Sequence, residues 1–531
     1  MRLNVFCFFI LCFISCQNEN NIDHLSIFKY NESSGVNSLD PAFAKDLPSV
    51  WVTSQIFNGL VQLDSSLKVI PSIAKSWDVS PNSLQYTFLL RDDVYFHDHS
   101  LFENINDRKV TAFDFQYSFS RLLDDNITSP GRWVMSNVSE FYAVNDSIFI
   151  IKLVNSFPAF LGVLSMQYCS VVPKIIIEKI DFHSNPIGTG PFKFQKWKKN
   201  EKLVLRKYNN YFEKLNDKRL PYLDGVAITF LRDKQAGFLQ FIMGNADFLS
   251  GIDASYKDEL LSREGILNSK YKDLINLQMK EYLNTAYLGF LMEDTLSPIK
   301  FLKIRQAINY GFDRRKMLKF LRNNIGSPAE NGFIPKGMPS FNDSILGFYY
   351  NPDLAMKLIN EVKTTISSDL GEIRLSTTSS YLDLCEYIQN ELIDLGLNVV
   401  IDVSPPSIHR QMVATSKLSF FRAGWIADYP DAENYLSLFY SKNFSPNGPN
   451  YTHFKNNEFD NLYKLSLSEN NDSLRFYYYN KMDQIIIDNA VIVPLYYDKV
   501  LRFTQKNIHG LSNNPVNMLN LKYVNKVLVN P

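Results

Sequence analysis

Gly424-Trp-Ile-Ala-Asp-Tyr-Pro-Asp431 ends an apolar run late in the chain, and the reading of the whole sequence turns on it. Up to Ala427 the run suits a strand. Pro430 has no backbone N–H and a fixed φ, so with Asp431 it breaks that strand. Asn434-Tyr-Leu-Ser-Leu-Phe439 then continues as an apolar segment. A strand end that offers one carboxylate, Asp428, beside the aromatic Trp425 and free backbone groups is how a cleft would hold an ammonium. On residue chemistry alone, Asp428 and Asp431 serve equally well as caps of a turn between strand and helix.

Outward from this octet, short runs of β-type periodicity alternate with helical ones, which predicts a mixed α/β architecture. Gln85-Tyr-Thr-Phe-Leu-Leu90, Ser147 to Leu153 and Leu203 to Arg206 read as strands. Phe301, Ile304 and Ile308 recur at helical spacing, with Lys303 and Arg305 off that stripe. From Tyr381 to Val403 the pattern predicts one αβ unit. Leu384, Ile388, Leu392 and Leu395 form its stripe, Gly396 its C-cap, and Leu397-Asn-Val-Val-Ile401 the following strand. A chain of 531 residues is too long for one core, so at least two lobes are expected.

The first residues bear on location. Met1-Arg-Leu-Asn4 carries a positive charge, and the apolar run from Val5 to Ile14 has the size of a signal-peptide core, far short of the roughly 20 residues a membrane helix needs. The run ends at Ser15-Cys16 and turns polar at once. It resembles a bacterial lipoprotein signal, although Phe13-Ile14 departs from the usual pair before the cleavage site. That resemblance implies residues 1–15 as the leader, Cys16 as the lipidated first residue, residues 16–24 as a tether, and a body attached to the membrane through lipid alone. Cys169 and Cys385 are then the thiols left in the body. Their spacing fits neither a metal site nor a disulfide framework, so two buried thiols are the default, with pairing left open. Lys and Arg number 55 and Asp and Glu 55, a balance that argues against nucleic acid as partner.

Four further segments join the octet in a resemblance that runs along nearly the whole chain. They are Asn37-Ser-Leu-Asp-Pro41 with Ile56-Phe-Asn-Gly-Leu-Val61, the pair Tyr86 to Asp98 and Val110 to Phe119, Asn185-Pro-Ile-Gly-Thr-Gly-Pro-Phe192, and Lys303 to Arg314. In this order they resemble the bacterial extracellular solute-binding proteins, family 5, which serve oligopeptide and dipeptide ABC transporters. The resemblance implies a large two-lobed α/β periplasmic-binding-protein fold of the cluster-C type with the ligand cleft between the lobes. It implies a lobe 1 core from residues 25–62, 186–285 and 500–531, an extra subdomain at 63–185, and lobe 2 at 286–499. Leu101 to Arg108 replaces a tight glycine turn, so an enlarged loop is expected there.

The site follows from the same resemblance. Asp428 aligns with the aspartate that pairs with a peptide α-ammonium, Trp425 would line the pocket, and Gly424, Ile426 and Ala427 would offer backbone groups. Asn58, Gly59 and Leu60 are the first-lobe candidates, with asparagine where several relatives carry glutamate, and Trp133 lies where relatives place an aromatic. The implied function is a monomeric, lipid-anchored protein in the periplasm that captures short peptides and delivers them to a permease, without cofactor or metal. A non-peptide solute such as an oligosaccharide, or a peptide-signal receptor, stays open. Gly188-Thr-Gly-Pro191 has neither the lysine nor the spacing of a phosphate loop and reads as a turn. His97-Asp98-His99 fits an exposed loop start better than a metal site. No nucleophile–base pair or paired catalytic carboxylates show local spacing, so an enzyme is not expected.

Overall fold

The computed structural model describes residues 25–528, apart from residue 254 and residues 367–368. The expected leader, Cys16 and the tether up to residue 24 lie outside the described residues.

Two long antiparallel strands, Ile275–Phe290 and Ile492–Gln505, stand at the centre of an 11-stranded mixed sheet that runs through the molecule. On one side follow Phe248–Ser250, Ile27–Asn31, Gly225–Thr229, Lys202–Lys207 and Phe192–Lys198; on the other, Phe420–Ile426, Glu372–Thr377 and Asn398–Val403. The sheet therefore belongs to both lobes, and the proposed boundaries at residues 285 and 499 fall inside its two central strands. Between the pairs Glu281↔Lys499 and Thr285↔Tyr497 the register shifts, so residues 282–284 face Asp498 alone. A bulge of this kind frees backbone groups for other partners. Here Leu283 uses both of its own: its N–H donates to Pro515 O at 2.7 Å and its carbonyl accepts from Ala427 N at 2.9 Å.

Residues 63–185 contain a four-stranded antiparallel sheet, Ala74–Val79, Gln85–Leu90, Ile148–Leu153 and Val138–Asn145 in spatial order. Its buried Phe88, Phe149 and Ile151 join Phe28, Leu203 and Ile228 of the large sheet in one apolar cluster. A second cluster holds Ile304, Ile308, Leu375, Ile388, Leu392 and Phe420. The αβ unit forms as read: helix Leu382–Asp394 buries Leu384, Ile388 and Leu392, Gly396 takes φ +86°, and the strand starts at Asn398.

The segments that carried the resemblance are mostly packing devices. A Cβ on Gly188 would stand 2.0 Å from Ile56 O, and one on Gly190 2.5 Å from Gln55 O, so this turn needs glycine because it lies against another backbone. Asp40 and Arg121, 1 % and 7 % exposed, pair at 2.6 Å and tie the first segment to the helix Ala112–Leu123. Arg305 is a correction to the helical stripe: it is buried, and its guanidinium donates to Ala490 O, Ile299 O and Asn489 O. Arg314 likewise donates to Pro494 O at 2.6 Å and Asn309 O at 2.9 Å. Burial lowers both guanidinium pKa values to about 10, for Arg314 against the charges of Glu330 and Asp313.

His97 is a second correction, since it is buried and not at an exposed loop start. Its Nε2 lies 2.9 Å from Gly190 O and its ring rests edge-on against Tyr208, and burial lowers its pKa to about 4. Residues 99–109 form the longer loop, with a short 3-10 turn at Ile105–Arg108 and Phe102 tucked inward. Cys169 and Cys385 are free, buried thiols in different apolar clusters. Among the described residues no helix is long and apolar enough to cross a membrane.

Replacing Arg121 by Leu leaves Asp40 buried without its cation and should destabilise the fold by about 3–5 kcal/mol. Denaturant unfolding checks this, and Asp40→Asn added to Arg121→Leu should recover part of the loss.

Candidate functional site

A cavity of about 690 Å³ lies where the two lobes meet. Lobe 1 contributes Asn58, Gly59, Tyr168 and Lys522 to its wall, the central bulge contributes Tyr282, and lobe 2 contributes Ile426, Ala427 and Asp428. Asp428 stands just beyond the end of strand Phe420–Ile426, open to the cleft although protein surrounds the cleft on most sides. That enclosure raises its pKa from the ordinary carboxylate value, and a hydrogen bond from Asn434 works in the opposite sense. Among the described residues no Lys, Arg or His lies within ion-pair distance of it.

The register of strand Phe420–Ile426 decides which of its backbone groups are free. It pairs along its length with Ile275–Phe290, but with Glu372–Thr377 only through Phe420 and Phe421. Ala427 N donates to Leu283 O, so odd-numbered residues turn their backbone groups toward the central strand and even-numbered ones away from it. Ala427 has thus committed its N–H. Gly424 and Ile426 direct theirs to the open edge, and both are exposed. Arg422 lies on the same face, since a Cβ on Gly424 would be 3.6 Å from Arg422 Nη2. Its guanidinium stacks 3.3 Å from the Tyr381 ring centroid, and its Nε has no hydrogen-bond partner.

Of the expected site residues, Asp428, Ile426, Ala427, Asn58 and Gly59 reach the cavity wall, and Gly424 does not. Asn58 has its amide engaged, donating to Tyr211 OH at 3.2 Å and accepting from Thr189 Oγ1 at 3.1 Å. Leu60, 1 % exposed, belongs to the lobe 1 apolar cluster and not to the wall. Trp425 is turned from the cavity and donates its indole N–H to Asn434 Oδ1 at 2.8 Å. Trp133 lies outside the wall too, at a contact between the lobes, with its ring 6.5 Å from that of Tyr429. Arg422, Asn434, Tyr168 and Lys522 were not anticipated. Arg422 alone had a sequence signal, the period-two spacing with Gly424 and Ile426.

Residues 68–447 match the bacterial extracellular solute-binding proteins, family 5 Middle. The chain belongs to this family. This solute-binding protein is 26% identical over 509 residues to the oligopeptide-binding protein OppA of Bacillus subtilis (strain 168), a match that covers 89% of this chain and 88% of the relative. It is 25% identical over 506 residues to heme-binding protein A of Haemophilus influenzae, covering 91% and 89%. Its fold is that of the periplasmic binding protein DppA from Helicobacter pylori, solved in complex with peptide STSA, with a TM-score of 0.79 at 23% identity, covering 94% of this chain and 98% of that one.

Next to Asp428 the solute-binding protein presses one lobe into the other. Tyr429, buried at 5 %, belongs to the lobe 1 cluster although its chain segment lies in lobe 2. Phe157 stands edge-on to its ring at 6.2 Å, and a Cβ on Gly162 would be 3.6 Å from both Tyr429 Cβ and Pro430 Cδ. Tyr429 and Tyr463 donate their hydroxyls to the two oxygens of buried Glu433. Burial raises the Glu433 pKa to about 6 against those two bonds. Asp431 accepts from Tyr479 at 2.7 Å, with Arg475 at 3.6 Å.

Burial raises the Glu433 pKa from its ordinary value of 4.5 to about 6, so the folded state holds the extra proton between them. Stability tied to this group is fully present below the ordinary value and is lost as pH rises through the folded one, by roughly 2 kcal/mol. Denaturant midpoints taken from about pH 4 to about pH 8 should fall with rising pH, and Glu433→Gln should reduce that slope.

Proposed function

We propose that this solute-binding protein captures short peptides in extended form between its lobes and passes them to the permease of an ABC transporter. The observation that carries this reading is the free edge of strand Phe420–Ile426. There the backbone groups of Gly424 and Ile426 stand in the geometry of a strand awaiting a neighbour, with Asp428 at one end and Arg422 at the other. Main-chain pairing of this kind gives affinity that is largely independent of ligand sequence. Gly424 leaves the middle of that edge without a side chain, and the Ile426 side chain lies between it and Asp428.

The charges assign the ends of the ligand. Asp428 takes the α-ammonium, and Arg422 takes the terminal carboxylate or an acidic side chain through its planar fork of donors. At about 3.3 Å per residue the two are at most about 20 Å apart along the backbone, which suits a ligand of a few residues once both side chains lean inward. The names of the Bacillus relative and the peptide in the Helicobacter structure support the same class of solute. Cys16 carries the lipid that holds the protein at the envelope, and ATP turnover belongs to the membrane partner.

Native mass spectrometry of the purified protein should reveal co-purifying short peptides, and titration calorimetry should show that N-terminal acetylation abolishes their binding. Asp428→Ala should cost roughly 2–5 kcal/mol of affinity. Because the Asp428 pKa is raised, binding should weaken on acidification at a higher pH than an ordinary carboxylate would allow. A single non-peptide mass, or equal binding of acetylated and free peptides, would refute the peptide reading.

A further inference from the structure

Asn434 lies in the short helix Glu433–Leu436 and is 5 % exposed. Its one amide group meets three partners from the octet. Oδ1 accepts from the Trp425 indole N–H at 2.8 Å and from the Asp428 backbone N–H at 3.2 Å, and Nδ2 donates to Asp428 Oδ2 at 3.4 Å. An amide is polar end to end, and its two ends differ in what they can satisfy. An indole N–H and a backbone N–H are donors only. Turning the amide over would set its NH₂ against both of them and its oxygen against a carboxylate. The two donors therefore lock the amide oxygen on their side and direct the NH₂ to Asp428.

We propose that Asn434 is a positioning residue for the ligand anchor, holding the Asp428 carboxylate in one rotamer and in its ionised form, with Trp425 as the strut that sets the polarity of the amide. This role rests on Asp428 receiving a cationic ligand end, as proposed above. It accounts for a tryptophan that belongs to the binding octet yet does not line the cavity. With one carboxylate oxygen engaged by Asn434, the other is left for the cleft.

The surroundings of Asp428 leave Asn434 as the side chain that acts on its charge by a hydrogen bond. Tyr168 from lobe 1 and Tyr451 and Tyr435 from lobe 2 feel the Asp428 charge, and all three hydroxyls have raised pKa values, so none is a competing anion at neutral pH. The other charged residues on the cavity wall are Lys45, Asp46, Asp64 and Lys522. Lys522 is paired with Glu213 at 2.5 Å, Asp46 caps the helix Leu47–Ile56, and Asp64 accepts from the backbone of its own turn.

The test is an NMR titration of the Asp428 carboxyl in the ligand-free protein, assigned by Asp428→Asn, in wild type, Asn434→Ala and Trp425→Phe. The Asp428 midpoint should move up by about half a unit to one unit in Asn434→Ala, as expected for loss of a hydrogen bond to the charged form. It should move by less in Trp425→Phe, which keeps a ring but frees the amide to turn. In parallel, affinity for a free-amine peptide at neutral pH should fall about tenfold in Asn434→Ala, with the acid limb of binding displaced by the same shift. Thermal unfolding of each variant separates lost stability from lost positioning. A lower Tm with an unmoved Asp428 midpoint would overturn the proposal. If wild type binds no peptide while the midpoint still shifts, the peptide reading fails and the positioning role stands.

Discussion

Everything in the cleft depends on how the two central strands carry the chain from one lobe to the other. A regular antiparallel pair from Ile275 to Phe290 would have every backbone group engaged with its neighbours. The bulge at residues 282–284 breaks that pattern at the level of the cavity and hands the groups of Leu283 to two other segments. One is Pro515, in the C-terminal stretch of lobe 1; the other is Ala427, next to Asp428. A single residue thus ties the crossing strand, lobe 1 and the segment from Gly424 to Asp431 together by main-chain bonds that no side-chain substitution removes directly.

The same economy of backbone explains why the segments that identify the family are not, for the most part, the segments that would touch a ligand. Gly188 and Gly190 let one turn lie against the carbonyls of Gln55 and Ile56. Asp40 and Arg121 neutralise each other in the interior of lobe 1, and Arg305 and Arg314 satisfy carbonyls at and beside strand Ile492–Gln505. Each device is costly to break from one side, because a buried charge or donor is left without a partner. They hold the walls in place.

Around Asp428 the structure separates two tasks that neighbouring residues perform. Asp428 and Ile426 face the cleft. Tyr429 and Pro430 face lobe 1, and Tyr429 fills a place among Trp133 and Phe157 while its hydroxyl returns to Glu433. The turn that ends the strand therefore both borders the cavity and forms the seam between the lobes.

Local pattern was enough for the α/β class, for the αβ unit around Gly396 and for the strand ending before Pro430. Those features depend on periodicities of two and 3.6 residues and on the fixed geometry of proline and glycine, which are properties of the chain itself. Tertiary structure decided the rest. That Arg305 and His97 are buried, that Leu60 sits in a core, and that Trp425 supports Asn434 instead of lining the cavity all depend on segments far away in sequence. The free edge of strand Phe420–Ile426 is the plainest case: an edge exists only when the neighbouring strand stops pairing, here after Phe421, and no residue within the strand announces where its neighbour ends.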